Sequence, residues 1–195
     1  MKFFTSDIHF SDENTFKVDN RPFKNVKKYN QFVIKQFNKV AKKGDIIYVI
    51  GDLIDCDNEK SNQFFEALKY VKKIKANVIL IIGNNEERAI KYFFNNDFEI
   101  FKKHCIDLGY KDVLKDCYLS FGGYNFYLTH KPKNFKSDYF NLFGHVHRGS
   151  GIYKSFGLNV GTDLNHFRPY SENDILELIK FKSKYWDNDD DINIR

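Results

Sequence analysis

The sequence predicts an α/β fold in which two stacked β-sheets are flanked by helices. Short apolar runs alternate with amphipathic stretches in the first half, and strand-like runs separated by turns fill the second half. A chain of 195 residues is long enough for one domain with a sizeable core, and its 21 phenylalanines indicate a core built on aromatic rings. We expect residues 1–186 to form that domain and residues 187–195 to form an acidic, flexible tail.

The first half has the pattern of β-α-β units. Apolar residues at three- and four-residue steps predict a helix from Val26 to Val40, followed by the strand "DIIYVI". A second helix, with Phe64 and Val71 on its apolar side, leads into the strand "NVILII". Two short helices are expected next, from Glu86 to Phe94 and from Phe98 to Leu108. Alternation of this kind predicts parallel strands in a central sheet.

The second half is richer in strands. They are expected at "DVLKDCYLSF", "YNFYLTH", "FNLF", "GIYKSF" and "LNV". Gly122 and Gly123 mark a hairpin, and we expect the strands of this half to be mostly antiparallel. The stretch "SEND" from Ser171 has capping-box spacing, which predicts the start of the last helix.

Composition narrows the classes of partner and compartment. The net charge is +5, and four of the 26 acidic residues are tail aspartates, so the body favours anionic partners such as phosphates. The three cysteines lack C-x-x-C spacing, which argues against a disulfide framework or a structural zinc site. No apolar run has the length of a membrane span, and the N-terminus reaches Asp7 before a signal-peptide core could form. We therefore expect a cytoplasmic protein without a membrane partner.

Candidate functional residues fall directly after predicted strands. Taken singly, a D-x-H, a G-D or a lone histidine is more typical of a polar loop or turn than of a metal site. The carboxyl ends of strands in an α/β sheet form the crevice where ligands bind, so residues far apart in sequence can meet there. The two histidines of "GHVH" also point to the same side of an extended segment. The candidates are Asp7, His9, Asp52, Asn84, His130, His145 and His147.

The ordered motifs "DIH", "GD", "GNNE", the lone His130 and "GHVH" resemble those of the calcineurin-like metallophosphoesterase superfamily. That pattern reads D-x-H, G-D, G-N-H-D/E, H and G-H-x-H, and the match runs from Asp7 to His147. The stretches "NRPF" and "NVGTDLNHFRPYS" are similar to a small uncapped bacterial and phage subgroup. The resemblance implies a four-layer α/β/β/α sandwich with two mixed sheets.

The resemblance also implies two divalent metal ions (Mn, Fe, Zn or Ni, with Mn favoured), a choice that agrees with oxygen and imidazole ligands. Asp52 would bridge the two ions, and a hydroxide that they share would attack phosphorus in line. The first ion would be held by Asp7, His9, Asp52 and His147, and the second by Asp52, Asn84, His130 and His145.

Asn85 departs from the family pattern, which has a histidine there as proton donor to the leaving group. A carboxamide cannot supply a proton. Either the leaving group needs none, or another residue such as His104 or His166 supplies it, or the site binds better than it turns over. Glu86 either acts directly or caps the following helix, where an acid is favourable.

The catalytic set predicted from the sequence is Asp52, Asn85 and Glu86. Substrate contacts are predicted at Arg21, Lys131 and Arg168, because basic side chains bind phosphate oxygens. Asn85 is predicted to contact substrate as well, since it stands where the family has its histidine. A surface salt bridge explains either arginine equally well.

These residues predict a metal-dependent phosphoesterase, in the first place a phosphodiesterase acting on a nucleotide-type substrate. The alternatives are a metal-dependent phospho-ligand binding protein with weak turnover, a phosphomonoesterase, and a nuclease. Only the basic charge supports binding to nucleic acid, because the sequence has no recognition motif of a known nucleic-acid-binding module. The sequence leaves the substrate and the oligomeric state open.

Overall fold

The computed structural model describes residues 1–56, 61–148 and 151–185, so the predicted acidic tail at 187–195 lies outside the described residues. The strands are β1 (Lys2–Thr5), β2 (Ile46–Ile50), β3 (Asn77–Ile81), β4 (Asp112–Leu114), β5 (Cys117–Phe121), β6 (Tyr124–Leu128), β7 (Phe140–Phe143), β8 (Tyr153–Lys154), β9 (Gly157–Asn159) and β10 (Tyr170–Ser171). The helices are α1 (Glu13–Val18), α2 (Val26–Val40), α3 (Ser61–Leu68), α4 (Asn84–Phe93), α5 (Phe98–Leu108) and α6 (Glu172–Tyr185).

The strands form two sheets, in the orders β10-β1-β2-β3-β4 and β5-β6-β7-β9-β8. Strands β1 to β4 pair in parallel because helical connections return the chain to the same edge, whereas β10 runs antiparallel to β1. Gly122 and Gly123 join β5 and β6 as the predicted hairpin. The predicted fold class, two mixed sheets flanked by helices, is confirmed.

The expectation that the second sheet is mostly antiparallel is wrong. Its outer pairs are antiparallel, but β6 pairs with β7 in parallel and β7 pairs with β9 in parallel. The connection over residues 129–139 is long enough to carry the chain back to the starting edge. As a result β6 and β7 end at the same edge, with His130 following one and His145 the other.

The stretch "DVLKDCYLSF" is two strands rather than the predicted one. Strand β4 pairs with β3 in the first sheet, and β5 pairs with β6 in the second. Val113 is buried in the core beneath the helices, whereas Leu119 packs against the core between the sheets. Lys115 and Asp116 carry the chain from one sheet to the other.

The helices lie close to their predicted positions, apart from α1, which the sequence did not indicate. Helix α5 has its predicted bounds and α4 begins two residues early. At the start of α6 the Ser171 N–H donates to the Asp174 carboxylate at 2.8 Å, and the Asp174 N–H donates to Ser171 Oγ at 3.1 Å, which is the predicted capping box. Within the described part of the chain, no helix combines the length and the apolar character that crossing a bilayer requires.

The first sheet is buried on both faces. Alternate residues such as Phe3 and Val49 face the core formed with the helices, and their neighbours Phe4 and Ile50 face the second sheet. Burial of each such side chain contributes about 1.5–3 kcal/mol. The packed sheets thus provide a rigid base for the loops that leave their carboxyl ends.

Candidate metal centre

The loops after β1, β2, β3, β6 and β7 bring the seven predicted ligands to one edge of the two sheets. Three groups of three side chains have potential ligand atoms within 4.8 Å of one another. Two of them consist of predicted ligands: Asp7, His9 and His147 in the first group, and Asp52, His130 and His145 in the second. The third, Asp19, His147 and Asp163, shares His147 with the first. Asn84 joins the second group, because its Oδ1 lies 3.1 Å from His130 Nε2 and 2.8 Å from His145 Nδ1.

The backbone of the site is held in an unusual conformation. Five candidate ligands have φ between +46° and +74°, a region that L residues rarely adopt and that clusters at functional sites: Asp7, His9, Asp52, His145 and His147. Neighbouring loops support one another, because the Asp7 N–H donates to the Gly51 carbonyl and the His9 N–H to the Asp52 carbonyl, each at 3.1 Å. The packed sheets keep these loops in place despite the strain.

The glycine that precedes Asp52, Gly51, is required by its backbone conformation and by its close neighbours. Its φ is +79°, and a Cβ at this position would lie 2.3 Å from His130 Nδ1. Any larger residue would displace the histidine ring, so the glycine is needed for the close approach of β2 and β6.

Buried acceptors fix the orientation of three histidine rings. Nδ1 lies 3.0 Å from Asp12 Oδ2 in His9, 2.7 Å from Asp19 Oδ2 in His147, and 2.8 Å from a backbone carbonyl in His130. An Nδ1–H that donates to such an acceptor leaves the Nε2 lone pair directed into the site, which is the arrangement that metal-binding histidines use.

Asp12 and Asp19 are supporting residues that sequence reasoning missed. Asp12 also accepts backbone N–H groups at the start of α1, so its position in the sequence is typical of a helix cap. Asp19 lies 128 residues from His147, and no local pattern indicates their contact.

The donor set fits a divalent metal. His9 Nε2 is buried, has no hydrogen-bond partner among the described residues, and lies 3.8 Å from Asp52 Oδ2. A buried nitrogen without a partner is costly, and a bound cation would satisfy it. Carboxylate, imidazole and carboxamide ligands suit first-row divalent ions.

Asp52 and His130, both in the second group, shift each other's pKa. Burial would by itself raise the pKa of Asp52, but the hydrogen bond and charge of His130 lower that pKa to about 2. Burial likewise opposes the charge on His130, yet Asp52 raises the pKa of its imidazole to about 9. The carboxylate is therefore ionised at neutral pH, while His130 must release a proton before it can bind a cation.

We expect metal affinity to rise with pH. A proton on His130 competes with the cation below its pKa of about 9, so Mn should bind more tightly at about pH 8 than at about pH 6. Calorimetric titration of metal-free protein with Mn at several pH values measures this. An affinity that stays constant over this range would contradict the assignment of His130 as a ligand.

Glu86 lies beneath Asp52. Its carboxylate is fully buried and accepts N–H groups from Gly83 at 2.7 Å, Asp52 at 2.9 Å and Leu53 at 3.0 Å. The bond from Gly83 caps α4, which was one of the two hypotheses for this residue. The other two bonds fix the backbone that presents Asp52, and a direct catalytic role for Glu86 stays a prediction.

Asn85 is buried next to the second group. Its N–H donates to Asp52 Oδ1 at 3.0 Å, and its side-chain Oδ1 accepts a hydrogen bond from Arg88 Nη2. Neither alternative proton donor lies there: His104 packs against the rings of Phe65 and Phe94, and His166 is exposed at the end of a 3-10 turn. Neither is among the clustered ligand groups found in the described part of the chain.

The three basic residues predicted to bind substrate lie in three different places. The Arg21 guanidinium is buried and donates to Asp163 at 2.8 and 3.1 Å and to the carbonyls of Asp7 and Ile8. It thus supports the Asp7 loop from behind, and this position does not favour a substrate contact. Lys131 Nζ lies 2.5 Å from Glu87 beside a cavity of about 200 Å³ that His130 also lines. Arg168 lines a separate cavity of about 580 Å³ that none of the seven candidate ligands lines.

Asp19→Asn should weaken metal binding although Asp19 belongs to neither main group. The carboxylate holds His147 at 2.7 Å and raises the pKa of its imidazole despite burial, so the neutral amide would leave a poorer and less oriented ligand. Losses of this kind are about 10- to 100-fold in metal affinity. Mn titration of the variant measures the loss, with Asp138→Asn, an exposed aspartate, as the control. Unchanged affinity would show that His147 needs no such support.

Comparison with known proteins agrees with this geometry. The sequence matches the family described as calcineurin-like phosphoesterase over residues 3–192. The chain belongs to this family. Calcineurin-like phosphoesterases are metal-dependent phosphoester hydrolases, so membership implies divalent metal cofactors and phosphorylated substrates, and the two ligand groups are candidate sites for those metals.

Three proteins are similar to this chain. The uncharacterized protein MJ1445 of Methanocaldococcus jannaschii is 27 % identical over 184 residues, which cover 90 % of this chain and 89 % of that protein. The crystal structure of AQ665 from Aquifex aeolicus, a protein of unknown function, has a TM-score of 0.65 and 22 % identity, with 91 % of this chain and 98 % of that chain covered. The Pseudomonas putida nuclease MPE has a TM-score of 0.47 and 14 % identity, with 75 % and 61 % covered. The AQ665 match supports the fold.

Proposed function

We propose that this calcineurin-like phosphoesterase is a dinuclear metal-dependent phosphodiesterase that acts on a nucleotide-type substrate. The position of Asp52 carries the proposal. Its Oδ1 lies 3.4 Å from His130 Nε2, and its Oδ2 lies 3.8 Å from His9 Nε2. A single carboxylate therefore reaches both ligand groups, as a residue shared by two metals must.

Two divalent ions at these groups, when bound, would lower the pKa of water to near neutrality and neutralise phosphoryl oxygens. The residues of the chain supply the ligands for these ions. Asp52 stays ionised because its pKa is lowered to about 2, and Asn84 Oδ1 adds a neutral oxygen within reach of His130 and His145. The left-handed backbone at Asp7, His9, Asp52, His145 and His147 fixes these ligands before substrate arrives, so little reorganisation accompanies the reaction.

A nucleotide-type diester is supported by charge and access. The chain is basic overall, which favours anionic partners. The side chain of His145 is exposed, so the second group opens to solvent where a long substrate could enter. Lys131 lines the neighbouring cavity beside its partner Glu87 and supplies a positive charge there for a phosphate.

The direct test is hydrolysis of bis-p-nitrophenyl phosphate and nucleotide diesters by protein that has been stripped of metal and reloaded with Mn. We expect turnover that depends on the added metal and two metals per chain by elemental analysis. Inactivity of metal-loaded protein toward all diesters would overturn the proposal, and a clear preference for monoesters would replace diester with monoester hydrolysis.

Asn85 supports a second candidate function, a metal-dependent protein that binds a phosphorylated ligand and turns it over slowly. The buried carboxamide offers no proton to a leaving group. Tight, metal-dependent binding of nucleotides together with very slow hydrolysis would favour this candidate over the enzyme.

A further inference from the structure

We infer that Arg88 binds the leaving group of the substrate and that this leaving group is a phosphate, so that the substrate class is a nucleotide joined through a phosphoanhydride. The inference rests on the proposed function and names the bond that the same site would cleave.

Arg88 lies one helical turn beyond the candidate ligand Asn84. Its Nε donates to the Asn84 carbonyl at 3.3 Å, and its Nη2 donates to Asn85 Oδ1. The Oδ1 of Asn84 in turn contacts His130 and His145. The guanidinium is thus attached to the backbone and side chain of the two residues that border the second ligand group.

Asn85 and Arg88 differ in burial, and this difference indicates the role of each. Asn85 is 2 % exposed, whereas Arg88 is exposed. The carboxamide therefore orients the guanidinium, and the guanidinium faces solvent next to Asn85, the residue that stands where the family has its proton donor. Of its five N–H groups, two are used within the described residues, which leaves the remainder for a ligand.

A guanidinium stabilises an anion without giving it a proton, since it is always charged in proteins. An alkoxide leaving group needs that proton, but a phosphate departs as a stable anion, and a planar guanidinium pairs with two phosphate oxygens at once. In the reaction the oxygen of water forms a bond to one phosphorus, and the bond from that phosphorus to the bridging oxygen breaks. The electron pair stays on the departing phosphate next to Arg88, and the protons of water pass to solvent as both product phosphates ionise.

The test gives Mn-loaded protein two kinds of substrate: nucleosides joined through a diphosphate and nucleosides joined through a single phosphate. We expect wild-type protein to prefer the diphosphate by about 10²- to 10⁴-fold in kcat/KM, the range that missing general-acid help costs an alkoxide. Arg88→Ala should lower kcat/KM for the diphosphate about 10- to 100-fold, as expected for the loss of a charge-assisted hydrogen bond. It should weaken binding of methylenediphosphonate similarly.

The control is Lys91→Ala, which removes an exposed positive charge from the same helix without touching the site. Arg88→Lys should restore part of the loss, and Arg88→Gln keeps much of the side-chain stem if Arg88→Ala fails to fold. Metal content should be unchanged in all four variants.

The outcomes separate the two proposals. If wild-type protein hydrolyses diesters but Arg88→Ala behaves like Lys91→Ala, or if the single-phosphate substrate is preferred, the inference about Arg88 is overturned and the proposed enzyme stands. If wild-type protein hydrolyses nothing yet binds methylenediphosphonate in a manner that depends on Arg88, the enzyme proposal fails and the phosphate contact of Arg88 is supported. Absence of both hydrolysis and binding overturns both.

Discussion

Asp52→Asn is expected to remove both metals and to lower diester hydrolysis by about 10³-fold or more. Asp52 stands between the ligand groups, 3.4 Å from His130 Nε2 and 3.8 Å from His9 Nε2. Two cations at such sites repel each other, and a neutral carboxamide would leave that repulsion uncompensated. The metals supply several kcal/mol of transition-state stabilisation, and each 1.36 kcal/mol is tenfold in rate, which gives the expected factor.

Elemental analysis of purified Asp52→Asn and its rate on bis-p-nitrophenyl phosphate measure the two effects. Asp107→Asn, on the exposed side of α5, is the matched control and should retain full metal content. Thermal unfolding shows whether the Asp52 variant is still folded. Two metals per chain in a folded Asp52→Asn protein would contradict the bridging role.

Much of the site could be predicted because its residues follow strands directly. The apolar runs before Asp7, Asp52 and Asn84 form a buried parallel sheet, so the polar residues after them share one edge. Continuous apolar runs of this length predict such strands locally, and the ligands then follow from their positions directly after the strands. Assignment of these residues to particular metals remains a prediction.

The supporting contacts could not be predicted in the same way. Asp19 meets His147, and Arg21 meets Asp163, across 128 and 142 residues, and neither pair has a local signature. Arg21 illustrates the difficulty. The sequence predicts it as a phosphate ligand, whereas its guanidinium is buried behind the Asp7 loop. Charge alone does not distinguish a residue that contacts substrate from one that holds a loop.

Arg88 illustrates the opposite case. In the sequence it is one basic residue on an amphipathic helix, which predicts a solvated position. Its contact with Asn85 becomes visible once α4 is seen to begin at Asn84, because residues three apart then lie on one face. The sequence difference at Asn85 and the arginine one turn later are thus two parts of one local arrangement.

Glu86→Ala is expected to destabilise the metal-free protein by about 3 kcal/mol, since each buried N–H that loses its acceptor costs about 1–3 kcal/mol. Three such groups, from Gly83, Asp52 and Leu53, would be left without the carboxylate. Part of this loss is offset, because burial and then the charge of Asp52 raise the pKa of Glu86 from 4.5 to about 7, which makes its ionised form costly in the folded protein.

The sign of the pH dependence follows from that shift. Between pH 4.5 and about 7 the folded protein holds a proton on Glu86 that the unfolded chain has released, so the contribution of Glu86 to wild-type stability falls as the pH rises through this window. The alanine variant lacks this group, and the stability difference between the two proteins should therefore narrow toward neutral pH. Urea unfolding of both metal-free proteins at several pH values measures the difference.

Glu87→Ala is the matched control, because Glu87 is the exposed neighbour whose pair with Lys131 should be worth less than about 1 kcal/mol. If Glu86→Ala lowers the free energy of unfolding no more than this control does, water must accept the three N–H groups in place of the carboxylate. Glu86 would then not be the residue that fixes the backbone of Asp52. If Glu86→Ala loses much stability and its Mn affinity falls as well, Glu86 acts through the backbone. Its carboxylate then fixes Asp52, the residue that both metals would share, which decides between the two roles predicted for Glu86, catalysis and helix capping.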